Sequence, residues 1–406
     1  MNFPYFISQR IQNTKTTSFS GTVTKIGVGS IAIGLSVMII AFAVLFGFKD
    51  AIHQKLFSLT PHIKISKFSA NESYEENPIT QQSDLFRNHK SIKEISHFQT
   101  SALKAGILKT RQDILGVVLK GINRDFDFKR FEPNIIQGKQ ISFDTSGYSK
   151  EILISKVIAD KLSLAVGNDV IMYFLNAPDR PRKLVVNGIY ETQMEEFDKN
   201  LIIGDIRLIQ KMNNWGADSV GSYEIYISDF TQLDAVAKKI QRKIQPDMKL
   251  EKVTTTYMGL FDWLGMLDRN MVIFLSLILF VASFNMISIL LVLMLERTPM
   301  IGVLKALGGS NWQIRKIFLW SGFSMIFRGL VYGNLLGIGI CLLQKHYKIF
   351  PLDPVNYYMN TVPIMMNWSV ILLLNLATIS LVLFVLIIPT FVITRIEPVK
   401  SIVFRK

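Results

Sequence analysis

The stretch MVIFLSLILFVASFNMISILLVLML, residues 271–295, carries no charge over 25 positions and gives way at once to ERTPMIGVLKALGGSNWQIRKIF, residues 296–318. About 20 apolar residues cross the hydrocarbon core of a bilayer as a helix, so the first half reads as a membrane span. The second half opens on Glu296 and Arg297, and Thr298 can cap a short helix that Pro299 starts. Ile301, Leu304, Lys305 and Leu307 continue that helix, and Gly308-Gly309 stop it. Ser310 caps a further helix that carries Arg315 into the next apolar run. The predicted product is a short amphipathic helix across a membrane face, between two spans. Such a helix suits a grip for a mobile partner, and equally a connector that lies on the surface.

Three more apolar runs flank this one. Residues 26–48 are 23 positions without a charge, 318–343 are apolar except for Arg328, and 368–394 are uncharged, with Asn375 and Pro389 inside them. Four transmembrane helices are therefore predicted, at 26–48, 271–295, 318–343 and 368–394. The first run is too long for the apolar region of a cleaved signal peptide and has 25 residues before it, so it is read as a retained span.

Composition agrees. The 406 residues are 49% hydrophobic and 19% charged, against about 25% charged in soluble chains. With 45 basic and 31 acidic residues the net charge is +14, which raises nucleic-acid binding as a function. The distribution excludes it: residues 49–269 hold 31 of the basic and 28 of the acidic residues, and the excess flanks the apolar runs. Arg10, Lys15 and Lys25 precede the first run; Arg297, Lys305, Arg315 and Lys316 lie between the second and third; Arg395, Lys400, Arg405 and Lys406 follow the fourth. Segment 344–367 has only Lys345 and Lys348. The positive-inside rule then predicts cytoplasmic termini (1–25 and 395–406) and a cytoplasmic 296–317 loop, with 49–269 and 344–367 on the far side of the membrane, which in a bacterium is periplasmic or extracellular. Phe3, Phe6, Ile7 and Ile11 recur at helical spacing beside Arg10, which suits a helix lying on the inner membrane surface; an unstructured tail is the other reading.

Residues 49–269 read as an α+β domain. Strand candidates, rich in Ile, Val, Tyr and Phe and punctuated by Gly, Pro and Asp, are 62–68, 114–121, 151–155, 169–174, 183–190, 201–203 and 223–228. Helix candidates are 81–89, 156–162, 205–212 and 230–244, the last with Phe230, Leu233, Val236, Ala237 and Ile240 on one stripe. The β-rich part spans about 115–200.

Catalytic patterns are missing. The chain has no P-loop, no H-E-x-x-H and no G-x-S-x-G motif. Its five histidines show no metal-ligand spacing, Cys341 is the only cysteine, and no span contains His, Asp or Glu. The sequence therefore argues against an enzyme and against a bound metal. Gly329, Gly333 and Gly337 recur every four residues, a ridge that lets another helix approach closely, from this chain or a neighbour. Arg328, some ten residues into its run, is expected to face protein, a cavity or lipid headgroups.

Residues 260–318, with ASFNMI from Ala282, Glu296-Arg297 and GVLKALGGS from Gly302, resemble the permease subunits of lipoprotein-releasing ABC transporters (LolC and LolE), within the wider FtsX/MacB class. Phe46-Gly47-Phe48 closing the first span, Pro61-His62-Ile63 and LDPVNYY from Leu352 carry the same resemblance, and the layout of one span, a large domain and three spans covers the chain. Arg328 departs from the small, apolar residues usual in that span. The resemblance implies a bacterial inner-membrane protein that pairs with a second permease, the same chain or a paralogue, and with a separate ATPase that binds ATP and magnesium. That ATPase would dock on Glu296, Arg297, Ile301, Leu304, Lys305, Leu307, Gly308 and Arg315. Lipoproteins would enter a cavity lined by Met38, Phe42, Phe46, Phe274, Leu277 and Val281, positions that equally suit helix packing or lipid contact. They would then pass to a periplasmic carrier bound at a basic hairpin with Pro178, Arg180, Pro181 and Arg182, which also reads as an ordinary solvated turn. Efflux, mechanical signalling to cell-wall hydrolases and a non-transport membrane receptor or scaffold are the alternatives.

Overall fold

The computed structural model describes residues 19–69, 74–111, 113–143 and 147–390. The surface helix expected within 1–25, the end of the fourth span and the 395–406 terminus lie largely or wholly outside them. The chain divides into a helical unit and an α+β unit, the latter comprising Ala51–Trp263 and Asp353–Asn360.

Four long apolar helices are present: α1 (Phe19–Leu59), α5 (Met258–Glu296), α7 (Asn311–Tyr347) and α8 (Trp368–Thr390). The α+β segment contributes α2 (Lys156–Leu162), α3 (Ile206–Met212) and α4 (Leu233–Gln241), and α6 (Thr298–Ala306) lies between α5 and α7. The first two long helices extend well beyond the uncharged runs at 26–48 and 271–295. An apolar run measures what a bilayer can cover, whereas a helix ends only where capping or chain-breaking residues end it. Beyond the run, Lys49 of α1 bonds Asp268 of α5 at 2.7 Å.

Among the described residues, twelve strands lie in chain order between α1 and α5. They are β1 (Ile63–Lys67), β2 (Ile79–Thr80), β3 (Ile95–Lys109), β4 (Ile114–Ile122), β5 (Ile135–Gly138) and β6 (Glu151–Ser155), then β7 (Asp169–Phe174), β8 (Ala177–Tyr190), β9 (Leu201–Asp205), β10 (Ser219–Val220), β11 (Ser222–Ile227) and β12 (Met248–Lys252). Ten form one sheet in the order β12-β1-β11-β3-β4-β9-β6-β8-β5, and β7 pairs with both β3 and β8. That double pairing closes β3, β4, β9, β6, β8 and β7 into a six-stranded ring, which leaves no free edge among them. Leu119, Leu153, Met172 and Phe174 are among its fully buried residues.

Local signals position the short helices. Ser155 caps α2 by accepting from the Ile158 amide at 3.1 Å, and Asp205 caps α3 by accepting from the Arg207 amide at 2.9 Å. The apolar stripe of α4 is buried through Leu233, Val236, Ala237 and Ile240. The sequence reading missed β3, the 15-residue strand that joins the ring to the β12-β1-β11 flank. Its Gln99, Thr100, Ser101 and Lys104 break the expected alternation yet are buried. Gln99 donates to Glu224 at 2.6 Å and Lys104 meets Glu75 at 2.9 Å, so partners distant in sequence satisfy what local pattern marks as loop.

Candidate functional site

The 296–318 segment folds as two capped helices. Ser310 and Gln313 form a reciprocal capping box at the start of α7, and Gly308 takes the left-handed backbone (φ +87°) that ends α6. Thr298 is not the cap of α6: its hydroxyl donates back to the Met294 carbonyl at 3.2 Å, and Arg297 occupies the cap position without a side-chain capping hydrogen bond. Back-bonding to the preceding turn competes with capping for any Thr that follows a helix directly.

This geometry divides the expected docking residues. Ile301 is fully buried, and Leu304, Lys305, Arg297 and Arg315 are half-buried. Glu296, Leu307 and Gly308 are exposed, Leu307 at 80%. Val303 and Trp312, which the reading omitted, are also exposed, and Lys316 lies 5.4 Å over the Trp312 ring. Val303, Leu307 and Trp312 are therefore the large apolar side chains this segment leaves exposed among the described residues.

The glycine ridge of α7 is covered within this chain. A methyl group built at Gly329, Gly333 or Gly337 would come within 2.7–3.1 Å of α1 residues including Ile31, Ala32 and Ile39. Asn334 and Asn375 lock α7 to α8 with reciprocal amide bonds of 2.7 and 3.1 Å. Neither amide was singled out as a contact, because the pairing becomes visible only once the helices are side by side. Arg328 is exposed on α7.

The six residues expected to line a cavity do not share one surface. Phe274, Leu277 and Val281 stand exposed on one face of α5. Phe42 and Phe46 are half-buried, their rings stacked at 5.9 Å, against Met365, Met366 and Val370, with about 10 Å³ of free space. Met38, also expected to line the cavity, is only 2% exposed and belongs to the packed helical core. Gly47 follows from close approach: a methyl there would meet the Pro363 carbonyl at 2.5 Å, where the Met365 amide bonds the Ala43 carbonyl.

The basic hairpin also differs from expectation. Its turn is Leu175–Asn176, and Pro178, Arg180, Pro181 and Arg182 lie within β8. Pairing jumps from Met172 with Arg182 to Phe174 with Ala177, so residues 178–181 form a bulge. Two prolines lack the amides a ladder needs, and that supplies the reason. Arg180 and Pro181 are exposed, while Arg182 is half-buried and donates to the carbonyls of Arg180 and Pro181.

In the α+β unit, Lys120 and Glu224 are buried and paired at 2.8 Å. Lys120 also donates to the Leu59 carbonyl at 2.6 Å, so a cation closes the end of α1. His62 accepts from the Ile227 amide at 3.0 Å and packs on Phe57, Tyr226 and Phe230. Burial, with Arg130 and His53 nearby, pulls it down to about 4. Among the described residues no group of His, Cys, Asp and Glu could hold a metal ion.

These features define a chain with four helices long and apolar enough to cross a membrane and a short capped helix, α6, between the second and third of them. Residues 272–398 match the FtsX-like permease C-terminal family. The chain is 25% identical over 338 residues to the lipoprotein-releasing system transmembrane protein LolC of Neisseria meningitidis, covering 80% of this chain and 79% of that protein. It is 21% identical over 421 residues to LolE of Haemophilus influenzae, covering 98% and 99%. The periplasmic region of MacB from Actinobacillus actinomycetemcomitans aligns with 50% of this chain and 95% of that one, at 14% identity and a TM-score of 0.34. The chain is thus similar to the LolC and LolE permease subunits along most of its length, and its 272–398 segment is FtsX-like.

Proposed function

We propose that this chain is the permease subunit of an ABC transporter that extracts lipoproteins from the outer leaflet of the bacterial inner membrane and passes them to a periplasmic carrier. The likeness to LolC along 80% of the chain and to LolE along 98% carries this reading. Efflux and signalling would be served by the same permease class, but the full-length relatives favour lipoprotein release.

The physical problem is the lipid anchor. Each CH₂ withdrawn into water costs about 0.8 kcal/mol, so a multi-chain anchor never leaves the bilayer spontaneously at a useful rate. The chain has no P-loop, so hydrolysis belongs to a separate ATPase subunit that holds ATP and magnesium. That ATPase docks on the 296–318 segment from the cytoplasm, and a second permease subunit completes the transporter. Residues 49–269 lie on the periplasmic side, where the bulge at Arg180 offers positive charge to a carrier. The exposed α5 face at Phe274, Leu277 and Val281 supplies an apolar wall open to lipid.

The test is reconstitution with the ATPase and partner permease in liposomes holding a labelled lipoprotein. Release is expected only with ATP and carrier together. Absence of release under every condition, with ATPase activity intact, overturns the reading.

A further inference from the structure

Two cavities of the α+β unit, of about 350 and 610 Å³, adjoin through the shared lining residues Glu196, Thr256 and Tyr257, and are treated as the two lobes of a groove. Pockets of roughly 300–1,000 Å³ are the size that takes a compact ligand or a short peptide segment. One lobe begins at Leu59, Thr60 and Pro61, where α1 ends; the other is lined by Met258, Gly259, Leu260 and Trp263 of the start of α5.

The groove is a built feature. Gln193 and Tyr358 both hold left-handed backbone, φ +61° and +58°, which is costly for residues with a side chain. A single half-buried lysine holds both: Lys55 of α1 donates to the Gln193 side-chain oxygen and to the Tyr358 carbonyl. Tyr358 forms part of the wall of the outer lobe. Gln193 opens the turn that carries Glu196 into both lobes, and Asp198 fastens that turn by accepting from the Thr192 and Gln193 amides at 3.1 and 2.9 Å. Strain held this way clusters where a surface must keep a set shape.

Charge identifies the occupant. The lysines of the inner lobe are already matched, Lys120 with Glu224 and Lys64 with Glu76 at 2.6 Å. Glu251 pairs with Lys249 at 2.7 Å. Glu196, exposed at the junction of the lobes, is ion-paired to no Lys or Arg among the described residues, and partial desolvation raises its carboxyl above the usual range. Around it stand aromatic walls, Tyr74, Tyr257, Trp263 and Tyr358. A lone carboxylate among aromatic faces recognises an ammonium or guanidinium group.

We infer that this groove binds an extended polypeptide segment through a Lys or Arg side chain placed against Glu196, and that Lys55 is a positioning residue for the Tyr358 wall. The inference rests on the lipoprotein-release reading: the segment is the stretch of the substrate's chain next to its lipidated end.

The test places a photo-crosslinking benzoylphenylalanine at Trp263 in the assembled transporter, with a labelled lipoprotein whose linker carries lysines. Crosslinks are expected to the linker. Replacing the linker lysines by Gln, or Glu196→Gln, should lower the yield about fivefold, the size of a modest ion pair, and Glu196→Asp should restore part of it. Lys55→Met should lower the yield while Lys55→Arg retains it. Crosslinks to phospholipid only, or a yield indifferent to Glu196 and linker charge, overturn the inference. Lipoprotein release measured on the same preparations separates the two failures: release without linker crosslinks sinks the groove alone, and no release sinks the transport reading.

Discussion

Single residues decide whether the helices of this permease can pack. At Gly333 a methyl group would sit 2.9 Å from the Ala32 carbonyl and 3.0 Å from Leu35, against backbone that cannot step aside. Gly333→Leu is expected to destabilise the protein by about 1–3 kcal/mol, as overpacking does. Gly339, six positions on, has nothing within 4 Å, so Gly339→Leu should leave thermal unfolding in detergent nearly unchanged. His62 sets a pH dependence in the α+β unit. Its folded value of about 4 lies below its ordinary 6.5, so the unfolded chain binds the extra proton between those values. The stability due to neutral His62 is complete above about pH 6.5 and is lost as pH falls toward 4. Asp125, pushed up to about 6 by burial, acts in the opposite sense, but it is common to wild type and variant and cancels between them. Relative to wild type, His62→Gln should therefore gain about 3 kcal/mol between pH 7 and pH 4, read by denaturant unfolding with hydrogen exchange of the α+β unit. A pH-independent difference would remove His62 from the account.

Among the elements, α6 has two unlike sides. Its inner side, Ile301 and Gly302, is buried, while Leu307 projects at 80% exposure. Docking on the outer side predicts that Leu307→Asp lowers copurification of the ATPase about tenfold or more with little change in unfolding temperature, as loss of an apolar anchor at an interface does. Ile301→Asp should instead destabilise the permease itself. If both variants bind the ATPase normally, the helix is a connector that lies on the surface. Much of this element is legible in the sequence: Pro299, the Gly pair and the Ser310 cap act within a few residues of themselves, whereas the reciprocal bond from Gln313 is seen only in the structure. Thr298 was misjudged because a hydroxyl at a helix junction has two acceptable partners, and the preceding turn won.

At the scale of the whole molecule, the charge asymmetry between segments predicts orientation. With Cys341 replaced by Ala, cysteines at Asn176 and Lys238, both exposed, should react with an impermeant thiol reagent in spheroplasts, and a cysteine at Ser310 should not. The reverse pattern would invert the topology.

From the amino-acid sequence alone come four spans, an α+β segment between the first two, the two capped helices after the second, and the absence of catalytic motifs. Each rests on a local quantity: apolar length, period, or the chemistry of a few neighbouring residues. Closure of the strand ring, burial of the glycine ridge against α1, the core position of Met38 and the Asn334–Asn375 lock depended on the tertiary structure. So did the Lys55 clamp, whose partner Tyr358 is 303 residues away. A buried polar group looks like a loop residue until its partner arrives, and which partner arrives is a property of the packed chain, since only there does removal from water make the pairing necessary.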